Sequence, residues 1–332
     1  MLLGQKVVVP KLTVIIVNWN GAKFLPDCLR SIADNPPSMP YEAVVVDNVS
    51  TDGSREWLGS DEAKAILGDG RLRVILSDEN LGFGKANNLA IKKTKGEFVF
   101  ILNPDTIVKP HAIDRLLQTL QSDGKIGAVS PKLLNPDGTL QASVAGFPPN
   151  PATILVQGFR LTKLFPRRFR ERMFYGEEWL HDKQIAVPVF WGTAILAKRE
   201  MIEKVGSFDE DFFMYGEDVE WCARINRKGW TTVFVPVAEV IHLGGKSSEQ
   251  AWEASETTLR KDAADILVQK KSLPAWLAAT NSLTKAGVYS AALLRRSVFG
   301  RETAFLKRHI RLQLSGARSA ISSDKNPEGS KE

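Results

Sequence analysis

Short apolar runs alternate with segments of helical spacing over the first 110 positions. The runs at 12–17, 43–46, 72–76 and 98–102 are rich in Val, Ile, Leu and Phe and bounded by polar or turn residues, as strands are. Phe98 to Leu102 is apolar at all five positions, the pattern of a strand buried on both faces. After the first run, Phe24, Leu25, Cys28, Leu29 and Ile32 recur at helical spacing, and residues 81–95 follow the third run as loop and helix. Strands alternating with helices imply right-handed crossovers and a mostly parallel sheet. The first part of the chain is thus expected to be an α/β domain of Rossmann-like design, a central sheet flanked by helices.

Three of these runs end in polar loops, which such a sheet brings to one rim. The first closes in Asn18-Trp19-Asn20-Gly21, the second in Asp47-Asn48-Val49-Ser50-Thr51-Asp52-Gly53-Ser54, the fourth in Asn103-Pro104-Asp105. Ligands of open α/β sheets sit outside the carboxyl ends of the strands, so Trp19, Asp47 and Asp105 are candidate ligand contacts. Asn, Pro and Asp are also ordinary turn residues, and Asp105 read alone is equally a turn former. Ser50 or Asp52 can cap the helix that follows the second loop. Gly82-Phe83-Gly84-Lys85-Ala86-Asn87 opens a helix after a strand but has Asn87 where a dinucleotide fingerprint needs its third glycine. It remains a helix start where Lys85 and backbone N–H groups can meet an anion.

Beyond residue 126 the chain predicts a strand, a Pro136-Asp137-Gly138 turn and a short strand ending at Gln141. Residues 147–179 read as irregular, with Arg160, Lys163, Arg167, Arg168, Arg170 and Arg172 among Leu161, Leu164, Phe165 and Phe169: an amphipathic segment near an anionic surface, or a solvated loop. An apolar run at 187–197 surrounds Trp191-Gly192-Thr193. A helix is predicted from about Glu217-Asp218 to Lys228-Gly229, with Val219, Cys222, Ala223 and Ile225 as its apolar stripe. Its acidic start suits the helix dipole whatever else it does. Two short strands, 231–235 and 239–241, lead to His242.

At 332 residues, 43% hydrophobic and 25% charged, the chain can bury a large core. Cys28 and Cys222 are far apart in sequence, which predicts neither a disulfide framework nor a structural zinc site and suits a reducing cytoplasm. The N-terminal stretch is broken by Lys6 and Lys11 and does not read as a signal peptide. No apolar run reaches the roughly 18 residues of a spanning helix. Of the net charge of +6, the residues from Ile266 onward carry twelve Lys/Arg against four Asp/Glu, leaving the rest near −2. An anionic partner for the tail follows, a membrane surface or nucleic acid.

Taken together, IIVNWNG (15–21), VVVDNVSTDGS (44–54), NLGFGKANN (80–88), LNPDT (102–106), GSFDEDFFMYGEDVEWCARINRKGW (206–230) and IHLGGKSS (241–248) resemble glycosyltransferase family 2, and within it the rhamnosyltransferase-like branch. The resemblance implies a GT-A fold over residues 1–250; residues 251–332 lie outside it and by their own composition read as a basic amphipathic helical extension with a disordered end. It implies an inverting transfer from a nucleotide-diphosphate sugar, dTDP-rhamnose or a UDP-sugar, with Mg²⁺ or Mn²⁺ as cofactor. By position Trp19 would cover the base and Asp47 would accept a hydrogen bond from it. Asn103-Pro104-Asp105 would replace the family's Asp-x-Asp, Asp105 and His242 would hold the metal, and Asp218 would be the catalytic base. Asn103 departs from the pattern and leaves one carboxylate in that loop. One carboxylate still suffices in kind, because Mg²⁺ or Mn²⁺ bridging diphosphate oxygens keeps several waters.

The acceptor implied by the rhamnosyltransferase resemblance is a polyprenyl-diphosphate-linked saccharide, which would place the enzyme in the cytoplasm, peripheral on the inner face of the cell membrane. The tail, with Trp276, Leu283, Leu293, Leu294, Val298, Phe299, Leu306 and Leu314 among Lys270, Lys271, Lys285, Arg295, Arg296, Arg301, Lys307, Arg308 and Arg311, would lie in that interface or pack on the catalytic domain. A basic nucleic-acid-binding protein with a degenerate nucleotide pocket is the alternative class. It needs basic and aromatic residues along one groove, whereas the basic charge here sits mainly in the tail, so no nucleic-acid partner is expected.

Overall fold

Strands β1 (Leu12–Asn18) and β4 (Phe98–Leu102) lie side by side in parallel at the heart of a ten-stranded sheet, Leu12 opposite Phe98 and Ile16 opposite Leu102. The computed structural model describes residues 9–68, 70–141, 144–145, 151–166, 181–244, 254–298 and 304–324. The expectations resting on Lys6, Arg167, Arg168, Phe169, Arg170, Arg172, Lys246, Phe299 and Arg301 lie outside the described residues. Two compact units divide the chain: Met1–Val144 with His181–Ser248, and Ala145–Leu180 with Glu249–Glu332. The pattern of the sequence draws one boundary near 250; this division assigns 145–180 to the second unit as well.

In the first unit β2 (Tyr41–Asp47) and β3 (Leu72–Leu76) continue the parallel set beside β1, with Asn18 opposite Asp47 and Asp47 opposite Leu76. On the far side of β4, β11 (Ala194–Lys198) enters antiparallel and is followed by β6 (Ile126–Leu134) and β12 (Thr231–His242), which run parallel to each other. The edge strand β5 (Thr106–Val108) pairs antiparallel with β12, Thr106 opposite His242. The short strands β7 (Leu140–Gln141) and β9 (Ile185–Ala186) border β6 and β12. Where the periodicity predicts two strands over 231–241, one strand carries a register shift between Val235 and Glu239. Pro236 has no N–H to give the ladder, and the irregularity absorbs it.

One face of the sheet meets helices α1 (Leu25–Asp34) and α5 (Ala112–Ser122). Leu25, Cys28, Leu29 and Ile32 from the first, and Ile113, Leu116, Leu117 and Leu120 from the second, join Val14, Ile16, Val45, Phe100 and Leu102 in a continuous core. Each such fully buried large side chain contributes about 1.5–3 kcal/mol. Helix α4 (Gly82–Lys92) packs on β1 and β2 through Ala86, Ala90 and Ile91. The result is the helix–sheet–helix sandwich the alternation predicts, with the Asn18, Asp47 and Leu102 strand ends on one rim.

The second unit holds four described α-helices: α6 (Pro151–Gly158), in a stretch whose prolines read as irregular, α9 (Ala254–Ser272), α10 (Ala275–Val298) and α11 (Ala304–Asp324), the labels α7 and α8 belonging to Arg199–Val205 and Glu217–Arg227 of the first unit. Pro151 stands at the first position of α6, where a missing N–H costs nothing. Contacts of Asp262 with His309, Ile266 with Gly316 and Lys270 with Ser319 show that α9 and α11 run parallel, while Tyr289 to Asp262 and Lys285 to Asp265 set α10 antiparallel to α9. The interior of this unit holds polar as well as apolar side chains. Asp262, Gln269, Asn281, Ser282, His309 and Gln313 are buried, whereas Trp276 is 67% and Leu294 69% exposed. Among the described residues no helix is long and apolar enough to cross a membrane.

Candidate active site

The first two strand-end loops are locked together by one side chain. Asn18, at the last position of β1 and fully buried, donates through Nδ2 to Asp47 Oδ1 (3.1 Å), Ser50 Oγ (3.0 Å) and Ser54 Oγ (2.9 Å). Asp52 reinforces the lock by accepting from Ala22 N (2.7 Å) and Ser54 Oγ (2.6 Å), and Asn20 Oδ1 accepts from Thr51 N (2.8 Å). Gly21 is required here, since a Cβ would come within 2.3 Å of Asn18 Oδ1. Asp47 has no exposed surface; Asn18 and the Ser50 N–H (3.2 Å) occupy its oxygens, and Arg55 stands 3.7 Å from Oδ2. In this arrangement it presents nothing to a ligand directly and instead braces the two loops. Trp19, one residue past Asn18, is partly exposed beside it. Lys85 stands exposed in the first turn of α4.

At the end of β4 the chain turns through Asn103, partly exposed, to Asp105, 2% exposed. The β5–β12 register carries His242 to it, with Nε2 3.4 Å from Asp105 Oδ1. On the other side His242 Nδ1 meets Gln141 Oε1 at 2.6 Å, and Gln141 Nε2 donates to Asn135 Oδ1 (3.0 Å), which fixes the orientation of the amide. A carbonyl oxygen only accepts, so Nδ1 carries a proton. Nε2 therefore offers Asp105 either a second proton or a lone pair that a cation can share with the carboxylate. One carboxylate and one imidazole make a donor set that fits a divalent cation whose remaining ligands are waters and diphosphate oxygens. Among the described residues no group of three or more His, Cys, Asp or Glu side chains converges on one point, so the protein alone does not complete a coordination shell.

Asp218 lies at the start of α8 (Glu217–Arg227) and is partly buried. Oδ2 accepts the Gly192 N–H at 2.7 Å and Oδ1 the Val219 N–H at 2.8 Å. Next along the chain, Thr193 O takes the Asn103 N–H at 2.9 Å, so Asp218 and the Asn103–Asp105 loop are tied through two consecutive residues. Burial pushes Asp218 above the usual carboxylate range despite these two donors. At this helix start desolvation outweighs the dipole. Glu217 is only 5% exposed, its Oε2 has no hydrogen-bond partner among the described residues, and burial together with the Asp218 charge raises it to about 8. Asp218 has the Gly192 and Val219 N–H donors to stabilise its charge, whereas Glu217 is held mainly by burial.

The sequence singles out Trp19, Asp47, Asn103, Asp105, Asp218 and His242, and the fold brings them to one rim. Asn18, Gln141, Gly192 and Glu217 emerge only from the structure. Asn18 and Glu217 stand inside motifs that draw attention to their neighbours. Gln141 is 101 positions from His242 and carries no local signal.

A curled, mostly parallel sheet with nucleotide-side loops at its carboxyl rim is the GT-A glycosyltransferase architecture. Its solved neighbours include the mannosyltransferase PcManGT from Pyrobaculum calidifontis in complex with GDP-Man and Mn²⁺ (TM-score 0.54, 20% identity, 97% of this chain and 89% of that one) and GalNAc-T7 with UDP, GalNAc and Mn²⁺ (TM-score 0.58, 19% identity, 96% and 58%). The chain belongs to glycosyltransferase family 2, whose "Glycosyltransferase like family 2" model matches residues 10–261. Relatives include the N-acetylglucosaminyl-diphospho-decaprenol L-rhamnosyltransferase of Mycobacterium tuberculosis, 30% identical over 70% of this chain and 75% of its own length. The low-salt glycan biosynthesis hexosyltransferase Agl10 of Haloferax volcanii is 27% identical, over 72% and 69%.

Proposed function

We propose that the protein is an inverting, divalent-metal-dependent rhamnosyltransferase of cell-surface polysaccharide synthesis, taking L-rhamnose from dTDP-rhamnose to a saccharide carried on a polyprenyl diphosphate. A UDP-sugar is the alternative donor. The name of the mycobacterial relative supports the donor sugar and the lipid-linked acceptor, and the neighbours solved with Mn²⁺ support a divalent ion.

In this reading Trp19 covers the base, and Asp47 orders the two loops that hold it; direct contact of Asp47 with the base requires those loops to part. Lys85 and Asn103 face the diphosphate, and Asp105 and His242 hold Mg²⁺ or Mn²⁺. The ion, when bound, neutralises the departing nucleoside diphosphate. Asp218 takes the proton of the acceptor hydroxyl as that oxygen attacks the anomeric carbon from the face opposite the diphosphate. Its held orientation matters more than its basicity: Gly192 and Val219 fix both oxygens, and Glu217 keeps the proton that would otherwise silence it. The tail gives the enzyme its place on the inner face of the membrane, through basic residues worth on the order of 1 kcal/mol each near an anionic surface.

The observation that carries the reading is the backbone link from Asp218 through Gly192 and Thr193 to Asn103, which holds a candidate base and a candidate metal ligand loop in one frame. Melting curves with dTDP-rhamnose, UDP-sugars and GDP-mannose in Mn²⁺ test it. A ligand at 100 times its Kd stabilises the folded protein by about 2.7 kcal/mol. The expected result is a raised Tm with dTDP-rhamnose above all; no shift with any nucleotide sugar overturns the proposal.

A further inference from the structure

Aromatic residues stand in the segments that border Asp218. Trp191, directly before the glycine that hydrogen-bonds Asp218, is 46% exposed, and Phe213 is 45% exposed. The Phe83 ring reaches the same place: a Cβ on Gly192 would lie 3.3 Å from Phe83 Cε1 and 3.5 Å from Asp218 Oδ2. Phe83 is held there from two sides, edge-on to Phe208 at 5.7 Å between ring centroids and by its N–H to Phe213 O at 3.0 Å. The latter contact demands glycine at position 82, where φ is +73° and a Cβ would stand 2.1 Å from Phe213 O. A backbone position is thus given up so that the Phe213 segment can close against α4.

Large aromatic side chains half exposed beside a partly buried carboxylate offer apolar surface that a bound molecule would cover. The occupant is constrained by chemistry. It must put a hydroxyl at Asp218 and apolar surface on the rings within the same few ångströms. A pyranose does both, with C–H groups on its faces and hydroxyls at its rim, and an aromatic ring with a nearby polar group is the matching surface.

We propose that Trp191 and Phe213, backed by Phe83, form the acceptor-saccharide platform of this enzyme, stacking the pyranose ring whose hydroxyl is presented to Asp218. The inference rests on the glycosyltransferase reading and adds to it the residues that select the acceptor. These residues bind the acceptor without contributing to donor binding, so their loss separates the two substrates.

The test uses the full-length protein with Trp191→Ala, Trp191→Phe, Phe213→Ala and Phe213→Tyr. Saturation-transfer NMR with methyl glycosides of N-acetylglucosamine, rhamnose, galactose and mannose reads the platform. Thermal shift with dTDP-rhamnose and Mn²⁺ reads the donor site and the folding of each variant. The wild type is expected to transfer saturation to the ring protons of at least one glycoside. Each alanine variant should weaken that binding about tenfold or more with the donor shift intact, and the aromatic replacements should restore most of it. Equal glycoside signals in the wild type and both alanine variants, or no glycoside signal from a wild type that does bind the donor, overturns the platform. Loss of the donor shift in the wild type strikes the rhamnosyltransferase reading itself and leaves the glycoside signal to decide the platform.

Discussion

Gly192 donates its backbone N–H to Asp218 Oδ2 at 2.7 Å. The bond does two things at once. It aims one carboxylate oxygen, and it joins the start of α8 to the loop that also receives the Asn103 N–H. A side-chain donor would be free to swing; a backbone donor between two sheet strands is not.

Asp218→Asn should keep the shape of the site while removing the proton acceptor. Turnover is expected to fall about 10²-fold or more, with the dTDP-rhamnose thermal shift within experimental error of the wild type. Wild-type turnover in this variant would move the base elsewhere.

Glu217 predicts a pH dependence of stability. Its folded pKa of about 8 lies above the ordinary 4.5, so between those values the native state holds a proton that the unfolded chain has lost. Stability therefore falls as pH rises through this window. Glu217→Gln, which cannot ionise, should have a higher Tm than the wild type at pH 8 and a similar one at pH 4. Parallel Tm-against-pH curves for the two proteins would contradict the assignment of the proton.

Asp105→Ala is expected to abolish Mn²⁺-dependent stabilisation in the presence of dTDP, and His242→Ala to weaken it. Gln141→Leu tests the support behind them. Removing the partner that orients a ligating imidazole costs about 10–100-fold in metal affinity, measurable by Mn²⁺ titration. Full activity of the wild type in EDTA would refute the metal roles of both Asp105 and His242.

Much of this was legible in the chain. The runs that end at Asn18, Asp47 and Leu102 are real strand ends, because a β-rich apolar run followed by Asn or Asp has few other ways to fold. Trp19, Asp47 and Asp105 stand on the rim that alternation predicts, and Asp218 and His242, which only the resemblance singled out, are tied to it through Gly192–Thr193 and Asp105. What local pattern could not reveal was pairing over distance. Gln141 reaches His242 only because β7 borders β6 and β6 borders β12, and Asp47 proves to be a brace because Asn18, 29 positions away, fills one of its oxygens. In the tail, too, local pattern carries no signal for the pairing of Asp262 on α9 with His309 on α11, 47 positions apart.

Gln313 is the sharpest test of the second unit's interior. It has no exposed surface, and among the described residues neither atom of its amide has a hydrogen-bond partner. Replacing such a group by an apolar one of similar size relieves a desolvation cost of about 1–3 kcal/mol. Gln313→Leu is expected to raise the denaturant midpoint of the second unit's transition without changing its slope. A loss of stability would show that the amide is satisfied in solution.

Binding to anionic liposomes at low salt, reversed by high salt, is expected of the full-length protein and should be lost on truncation after Glu256. Activity on a lipid-linked acceptor should suffer more than activity on a short soluble one. A full-length protein indifferent to anionic liposomes would refute the membrane reading.

The lock at Asn18 also limits how this enzyme can be re-engineered or can drift. One amide serves a carboxylate and two hydroxyls from the neighbouring loop, and Gly21 is pinned by the same side chain, so neither loop tolerates a change that the other has not already accommodated. On the proposed role of these loops in holding the donor base, donor preference is inherited as a block. A graft meant to switch the nucleotide should carry residues 18–22 and 47–54 together from a single parent, and libraries that randomise either loop alone should return mostly misfolded or unaltered clones.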